Sequence, residues 1–288
     1  MHKKNIIWLA SYPKSGNTWF RVFLTNLLSD TDVPANINDL TDTSISSSRK
    51  IFDEYTGLSS SDLTFNEIDC LRPEVYRMQS DESDEILFKK VHDKYYITER
   101  EEPLFPAEIT KGVIYFIRNP LDVLVSFAYH SAKPIEKMVE TLNNSNFAFC
   151  NQDDKLQNQL RQILGSWSDH VESWITQKDT PVHVIRYEDM IENTFDIFKN
   201  AVKYIGLKKS DSEINEAIKK SEFSVLAEQE KEDGFKEKMI KSKSFFRKGE
   251  IGDWKNFLDK NTTEEIISNH NSLMKEFGYI DNNSKPIY

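Results

Sequence analysis

Short, continuous apolar runs alternate along the chain with longer stretches in which apolar residues recur every three or four positions. Ile6-Ile7-Trp8-Leu9-Ala10 is the first such run, closed by Pro13 and Gly16, and it predicts a buried strand. Behind the turn, Trp19, Phe20, Val22, Phe23, Leu24, Leu27 and Leu28 fall at helical spacing. The same unit returns as a strand over 113–117, the turn Arg118-Asn119-Pro120, and a helix through Leu121, Val125 and Tyr129. Pro120 suits the first turn of that helix, where its missing N–H costs nothing. Further strands are predicted at 86–88 and 182–185, and amphipathic helices over 153–175 and 195–205. Strands that are apolar throughout, separated by helices, predict an α/β fold with a parallel β-sheet flanked by helices.

Two stretches break the pattern. Residues 29–84 are rich in Ser, Thr, Asp and Asn with weak periodicity, and read as a variable insertion of loops and short helices that shapes a binding site. Residues 228–245 are dense in charge and read either as a solvated helix face or as a lid over the site. No repeat or linker divides the sequence, so 1–288 is expected to be a single domain.

The 288 residues are 38% hydrophobic and 12% aromatic, too apolar for a disordered chain. A net charge of -10 argues against a nucleic-acid-coating surface, though a small basic pocket for one anion is compatible with it. Cys70 and Cys150 cannot form a disulfide framework, and no His, Cys, Asp and Glu spacing suggests a metal site. The basic start MHKK is followed by too short an apolar run for a signal peptide, and no stretch approaches the ~20 apolar residues of a membrane span. A cytoplasmic protein without a membrane partner is expected.

The strongest local signal is Ser11-Tyr12-Pro13-Lys14-Ser15-Gly16-Asn17-Thr18-Trp19, between a strand and a helix. Such a turn presents unpaired N–H groups at the positive end of the helix dipole, a ready anion site. Gly16 permits close approach, Lys14 adds a mobile charge, and Ser15, Asn17 and Thr18 add donors. It is not a Walker A loop, because Lys14 precedes Gly16 and no Gly lies upstream. An ordinary capped turn is the plainer alternative.

This segment resembles the 5′-phosphosulfate loop of sulfotransferases that use 3′-phosphoadenosine 5′-phosphosulfate (PAPS). Arg118-Asn119-Pro120-Leu121-Asp122-Val123-Leu124-Val125-Ser126 resembles the family's 3′-phosphate motif. Arg247-Lys248-Gly249-Glu250-Ile251-Gly252-Asp253-Trp254-Lys255-Asn256 resembles its R-K-G-x-x-G-D-W-K-N signature. The chain is identified as a member on these motifs in the family's order, with a loop most similar to bacterial members. The resemblance implies a sulfotransferase fold related to P-loop kinases, PAPS as donor and adenosine 3′,5′-bisphosphate (PAP) as product, with no metal required.

Residue by residue, it implies Lys14 and the turn amides at the 5′ end, and Arg118, Ser126, Arg247, Lys248 and Gly249 at the 3′-phosphate. Arginine suits this because its planar fork meets phosphate with two parallel hydrogen bonds. Plainer readings make Arg118 an ion-pair partner of Asp122 and Arg247-Lys248 a solvated pair. Trp19 and Tyr187 would flank the adenine, with Ser221 and Phe223 lining the nucleotide site, although an aromatic such as Trp19 at a helix start also suits a core. His92 in Lys90-Val91-His92 stands where the family has its general base, and imidazole titrates near neutrality. The following Asp93-Lys94 departs from the family's small residue and proline, and leaves a share of that role open to Asp93 or Tyr95, with a purely structural His92 as the plainer reading. The acceptor is expected to be the hydroxyl of a small molecule or natural product. Alternatives are an ATP-using P-loop-like kinase and a catalytically silent nucleotide-binding protein. Lys260-Asn261-Thr262-Thr263-Glu264 matches the family's dimer motif loosely, which leaves a homodimer open.

Overall fold

A computed structural model describes residues 2–40 and 43–288; residue 1 and positions 41 and 42, inside the predicted insertion, lie outside the described residues. The first half of the chain runs β1 (Ile6–Ser11), α1 (Asn17–Leu28), α2 (Arg49–Thr56), α3 (Phe65–Glu82), β2 (Leu87–Val91), β3 (Thr110–Ile117), α4 (Pro120–Ser131) and α5 (Ile135–Leu142). It continues as β4 (Ala148–Phe149), β5 (Gln162–Ile163), α6 (Trp167–Thr176), β6 (Val182–Arg186), α7 (Tyr187–Glu192), α8 (Thr194–Ile205), α9 (Asp211–Lys220), α10 (Phe223–Asp233) and α11 (Lys260–Glu276). By compactness the chain divides into two units, one from Met1–Tyr12, Asp42–Tyr115 and Ser145–Val184, the other from Pro13–Thr41, Phe116–Asn144 and Ile185–Tyr288.

The central sheet is parallel, in the order β2-β1-β3-β6. Strands β1 and β2 pair in parallel from Ile6↔Leu87 to Ala10↔Val91. Ile6, Ile7, Trp8, Leu9 and Ala10 are fully buried, as an all-apolar strand demands. Trp8 satisfies its buried indole by donating to Thr110 Oγ1 at 2.8 Å, and meets Tyr76 of α3 edge-on at 5.1 Å. Helix α3 opens with a reciprocal capping box between Thr64 and Glu67.

In the second unit α1 packs Phe20 and Phe23 against Phe116 and Phe198. On another side Val22, Ile37, Leu40, Leu226 and Phe235 form a core that Trp19, Phe245 and Phe246 extend. Helix α4 begins as expected, with Pro120 in its first turn and the Asn119 side chain accepting from Leu121 N at 3.0 Å.

The sheet strands, α1, α4 and α8 lie where the hydrophobic pattern predicts them, with β2 displaced toward Val91. The helix predicted over 153–175 is not formed along its length. Leu164 and Gly165 donate to the Phe147 carbonyl (2.9 Å each), β4 and β5 pair antiparallel, and Gly165 sits at φ +69. The helix begins only after Ser166, whose side chain caps Asp169 N. The region 29–84 holds an 18-residue helix, α3, rather than short pieces alone. Its pattern is masked by Pro73 at mid-helix and by the buried polar residues Asp69, Arg72 and Gln79. The charged stretch 228–245 is helical only to Asp233, where Gly234 ends α10. No described helix is long and apolar enough to cross a membrane.

Candidate nucleotide site and general base

The loop between β1 and α1 is shaped by two left-handed residues, Lys14 at φ +71 and Gly16 at φ +96. A side chain at Gly16 would face more than backbone strain, because its Cβ would stand 2.7 Å from Tyr187 Cδ2. The missing side chain is what lets Tyr187 close on the loop. Ser15, Asn17 and Thr18 are buried beneath it, and the Lys14 ammonium lies 3.6 Å from the centre of the Phe245 ring. Trp19 is half-buried, 5.3 Å from Phe198 and 6.4 Å edge-on from Tyr187, so it belongs to the core while bordering the loop.

Arg118, 8% exposed, draws distant segments of the second unit together. Its Nη1 donates to the Lys14 carbonyl at 3.2 Å, its Nη2 to the Glu250 carbonyl at 3.0 Å, and its guanidinium lies 4.1 Å over the Tyr187 ring. Its hydrogen bonds therefore go to backbone carbonyls rather than to Asp122. The Asp122 carboxylate instead accepts from Gly252 N (2.8 Å) and Trp254 N (3.0 Å), fastening the signature segment to α4. Ser126 is half-buried one helical turn further along α4.

Arg247 is half-buried and Lys248 exposed, yet neither is an isolated surface charge. Both converge on the buried Asp253, Lys248 Nζ at 2.6 Å and Arg247 through Nη2. Burial alone would raise the Asp253 carboxyl, but hydrogen bonds from Lys248, Arg247 and Asn256 hold it below the ordinary range. Arg247 also stacks 4.5 Å over Tyr129. Gly249 sits at φ +70, and a Cβ there would meet Phe223 Cδ2 at 2.7 Å. Ser221 is fully buried and donates to the Ala217 carbonyl at the end of α9, so its offer to a ligand is its acceptor lone pairs. Glu188, which sequence reasoning misses, is buried beside Arg118's strand end and accepts from Asn119 N at 3.0 Å. Burial raises its carboxyl against the pull of that amide.

These residues fit an anionic nucleotide. Ser15 Oγ, Trp19 Nε1 and Arg118 Nε are buried polar atoms without a hydrogen-bond partner, around a loop whose geometry is already fixed. Buried donors of that kind are normally satisfied, and a ligand would satisfy them. Among the described residues no group of His, Cys, Asp and Glu is arranged to hold a metal ion.

His92 belongs to the first unit, just beyond β2. Its Nδ1 lies 2.9 Å from the Ser11 carbonyl. A carbonyl can only accept, so Nδ1 carries the proton and the lone pair of the neutral ring is on Nε2. The Asp93 carboxylate is fully buried and paired bidentately with Arg72 at 2.8 and 3.0 Å. The Tyr95 hydroxyl donates to Asp179, and burial and that carboxylate push it above its ordinary range. Both neighbours of His92 thus have structural partners of their own.

A sulfotransferase-domain family model matches residues 4–278. The chain belongs to the sulfotransferase family. Among curated relatives, a guinea pig (Cavia porcellus) 3-beta-hydroxysteroid sulfotransferase is 29% identical over 197 residues, covering 66% of each chain. Flavonol 3-sulfotransferase of Flaveria bidentis is 24% identical over 94% of this sulfotransferase and 81% of its own length. The chain spans about half to two thirds of the length of the hydroxysteroid sulfotransferase and the rat (Rattus norvegicus) sulfotransferase 2A2 that it matches. In fold it is similar to a mouse sulfotransferase crystallised with PAP (TM-score 0.61, 20% identity, 95% of this chain and 85% of that one). It is equally similar to retinol dehydratase crystallised with androsterone and PAP (TM-score 0.61, 17% identity, 98% and 84%).

Proposed function

We propose that this sulfotransferase moves a sulfuryl group from PAPS to the hydroxyl of a small-molecule acceptor. The observation that carries the reading is Arg118, which joins the Lys14 loop, Tyr187 and the Glu250 carbonyl of the signature segment in one unit. The family's nucleotide motifs are thereby coupled through one guanidinium. PAPS supplies an activated sulfuryl group whose bond to the phosphate oxygen breaks as a bond to the acceptor oxygen forms. The acceptor's proton passes to Nε2 of His92, and PAP leaves with the bridging oxygen's electron pair.

Lys14 is assigned to the charge that develops on that oxygen, with the first-turn amides of α1 beside it. Arg118, Ser126, Arg247, Lys248 and Gly249 are assigned to the 3′-phosphate, and Trp19, Tyr187, Ser221 and Phe223 to the nucleoside. The hydroxyl acceptor is supported by the relatives' names, which specify hydroxysteroids and flavonols. The stretch 228–245 is assigned as a lid, its helical part ending at Asp233. The structure ties this stretch down through Arg21 to Glu237 (2.7 Å) and through Glu230, which accepts from Phe245 N and Phe246 N.

The test is a titration of PAP against 5′-AMP, ADP and ATP, with and without magnesium. It is followed by turnover of radiolabelled PAPS on a panel of phenols, hydroxysteroids, sugars and alkyl alcohols. A metal-independent preference for PAP and labelled product are expected. Magnesium-dependent preference for ATP would replace the reading with a kinase, and tight PAP binding with no product on the panel would favour a silent binding protein.

A further inference from the structure

The backbone that follows the ring of the histidine assigned as base, its own carbonyl and the residue after it, is held by groups on two different helices. On one side His170 of α6 is fully buried, with Nε2 3.1 Å from the His92 carbonyl and Nδ1 2.8 Å from the Tyr115 hydroxyl. Because the His92 carbonyl only accepts, His170 Nε2 carries the proton and its Nδ1 accepts from Tyr115. On the other side Asp93, the next residue, is gripped through its side chain by Arg72 of α3, itself 1% exposed. Its main-chain carbonyl accepts from Trp174 Nε1 at 3.1 Å. Ile163 N also donates to the Asp93 carboxylate at 3.3 Å. Proton positions are thus fixed in two separate places: Tyr115 donates to His170 and His170 to the main-chain carbonyl of His92, while the His92 ring donates through Nδ1 to the Ser11 carbonyl.

We propose that His170 and the Arg72–Asp93 pair are positioning residues that lock the His92 ring with its lone pair on Nε2. The inference deepens the assignment of His92 as base and rests on it for its catalytic consequence. It also accounts for Asp93 standing where the resemblance leads one to expect a small residue: a carboxylate there recruits Arg72 from α3. A buried ion pair is weak evidence for stability as such, because desolvation of both charges offsets their attraction. Its value lies in fixing one geometry. Burial holds the His170 imidazolium back until about pH 3, so the ring stays neutral and keeps its single donor aimed at the His92 carbonyl through the working range.

The experiment uses the full chain and three variants, His170→Leu, His170→Gln and Asp93→Asn, beside His92→Ala. The Gln amide nitrogen occupies the place of His170 Nε2 and keeps a donor, whereas Leu removes it. The ring tautomer of His92 is read from its imidazole ¹⁵N shifts, and PAP affinity from titration. The kcat and KM are taken with PAPS and the panel acceptor that turns over fastest.

Wild type should show Nδ1–H at His92. His170→Leu and Asp93→Asn should show mixed tautomers with kcat down by up to the order of 10²-fold, PAP affinity unchanged, and substantial rescue in His170→Gln. If His170→Leu folds and keeps both the wild-type tautomer and kcat, the clamp is overturned while the base assignment stands. If His92→Ala retains turnover, the base assignment falls, and the tautomer measurement alone then decides the clamp. Should Asp93→Asn fail to fold, the Leu and Gln pair at His170 still decides whether the clamp exists.

Discussion

Asp122 offers a sharp test of how the signature segment is held in place. The residue is 2% exposed, and both carboxylate oxygens are spent on backbone amides, those of Gly252 and Trp254. Asp122→Asn keeps the shape but leaves one acceptor, and it turns an NH₂ group toward a second N–H. Hydrogen bonds to a charged group contribute about 1.5–3 kcal/mol each, and a buried donor left unpaired costs about 1–3 kcal/mol. Trp254 is buried while Gly252 is half-buried, so water can replace part of the loss at Gly252 only. A loss of about 2–4 kcal/mol follows for Asn. At about 2–4 °C per kcal/mol for a large domain, Tm should fall by roughly 4–16 °C. The displaced segment carries Arg247, Lys248 and Gly249, so PAP affinity should fall with it, by about tenfold or more for 1.4 kcal/mol of mispositioning. Differential scanning fluorimetry with and without PAP reads both effects in one sample. A variant that melts within a degree of wild type and binds PAP equally well would refute the idea that Asp122 anchors the segment.

Other expectations follow from the same geometry. Lys14→Ala should lower kcat by orders of magnitude while changing PAP affinity much less, since the lysine is assigned to charge that develops as PAP departs; steady-state kinetics beside a PAP titration checks the split. Gly249→Ala places a Cβ 2.7 Å from Phe223 at φ +70, which adds about 1–2 kcal/mol of left-handed strain to the clash. PAP binding should weaken, and Phe223→Ala in the same chain should recover the steric part alone, a coupling that a double-mutant cycle measures. His170 gives a pH dependence. Its imidazolium is disfavoured in the fold down to about pH 3 by burial, while in the unfolded chain it protonates near the ordinary 6.5. Its contribution is therefore present above pH 6.5 and lost as pH falls toward 3, by up to about 4–5 kcal/mol. Urea midpoints between pH 7 and 4 should drop more steeply in wild type than in His170→Gln, and parallel curves would dismiss the effect.

The parts of the molecule legible in the sequence are those in which local pattern and tertiary role coincide. Strand β1 is apolar at every position through Ala10 because both faces are covered, and α4 announces itself with Pro120 and Asn119. The Lys14 loop and the Arg247 segment stand out because Gly16 and Gly249 sit among cations, and in the structure each glycine is required by an aromatic ring against it, Tyr187 and Phe223. What stayed hidden is polar burial. In α3, Arg72 and Asp69 occupy positions where periodicity looks for Leu or Val, and in β2 two consecutive lysines, Lys89 and Lys90, are buried, only 8% and 9% exposed. Burial presses the Lys89 ammonium down to about 8, a cost no hydrophobic pattern would anticipate.

Such residues are unreadable one at a time, because a buried charge makes sense only once its partner is known, and the partner can be far along the chain. Arg72 and Asp93 lie 21 residues apart, and His170 and His92 lie 78 apart. The oddity visible in the sequence, Asp93 after His92, marks the place where the proposed base meets its buried support, the Arg72–Asp93 pair. A motif reports the atoms that touch the ligand. The fixed orientation of those atoms is written in polar residues that sequence patterns score as errors, and the tautomer of His92 is where that difference can be measured.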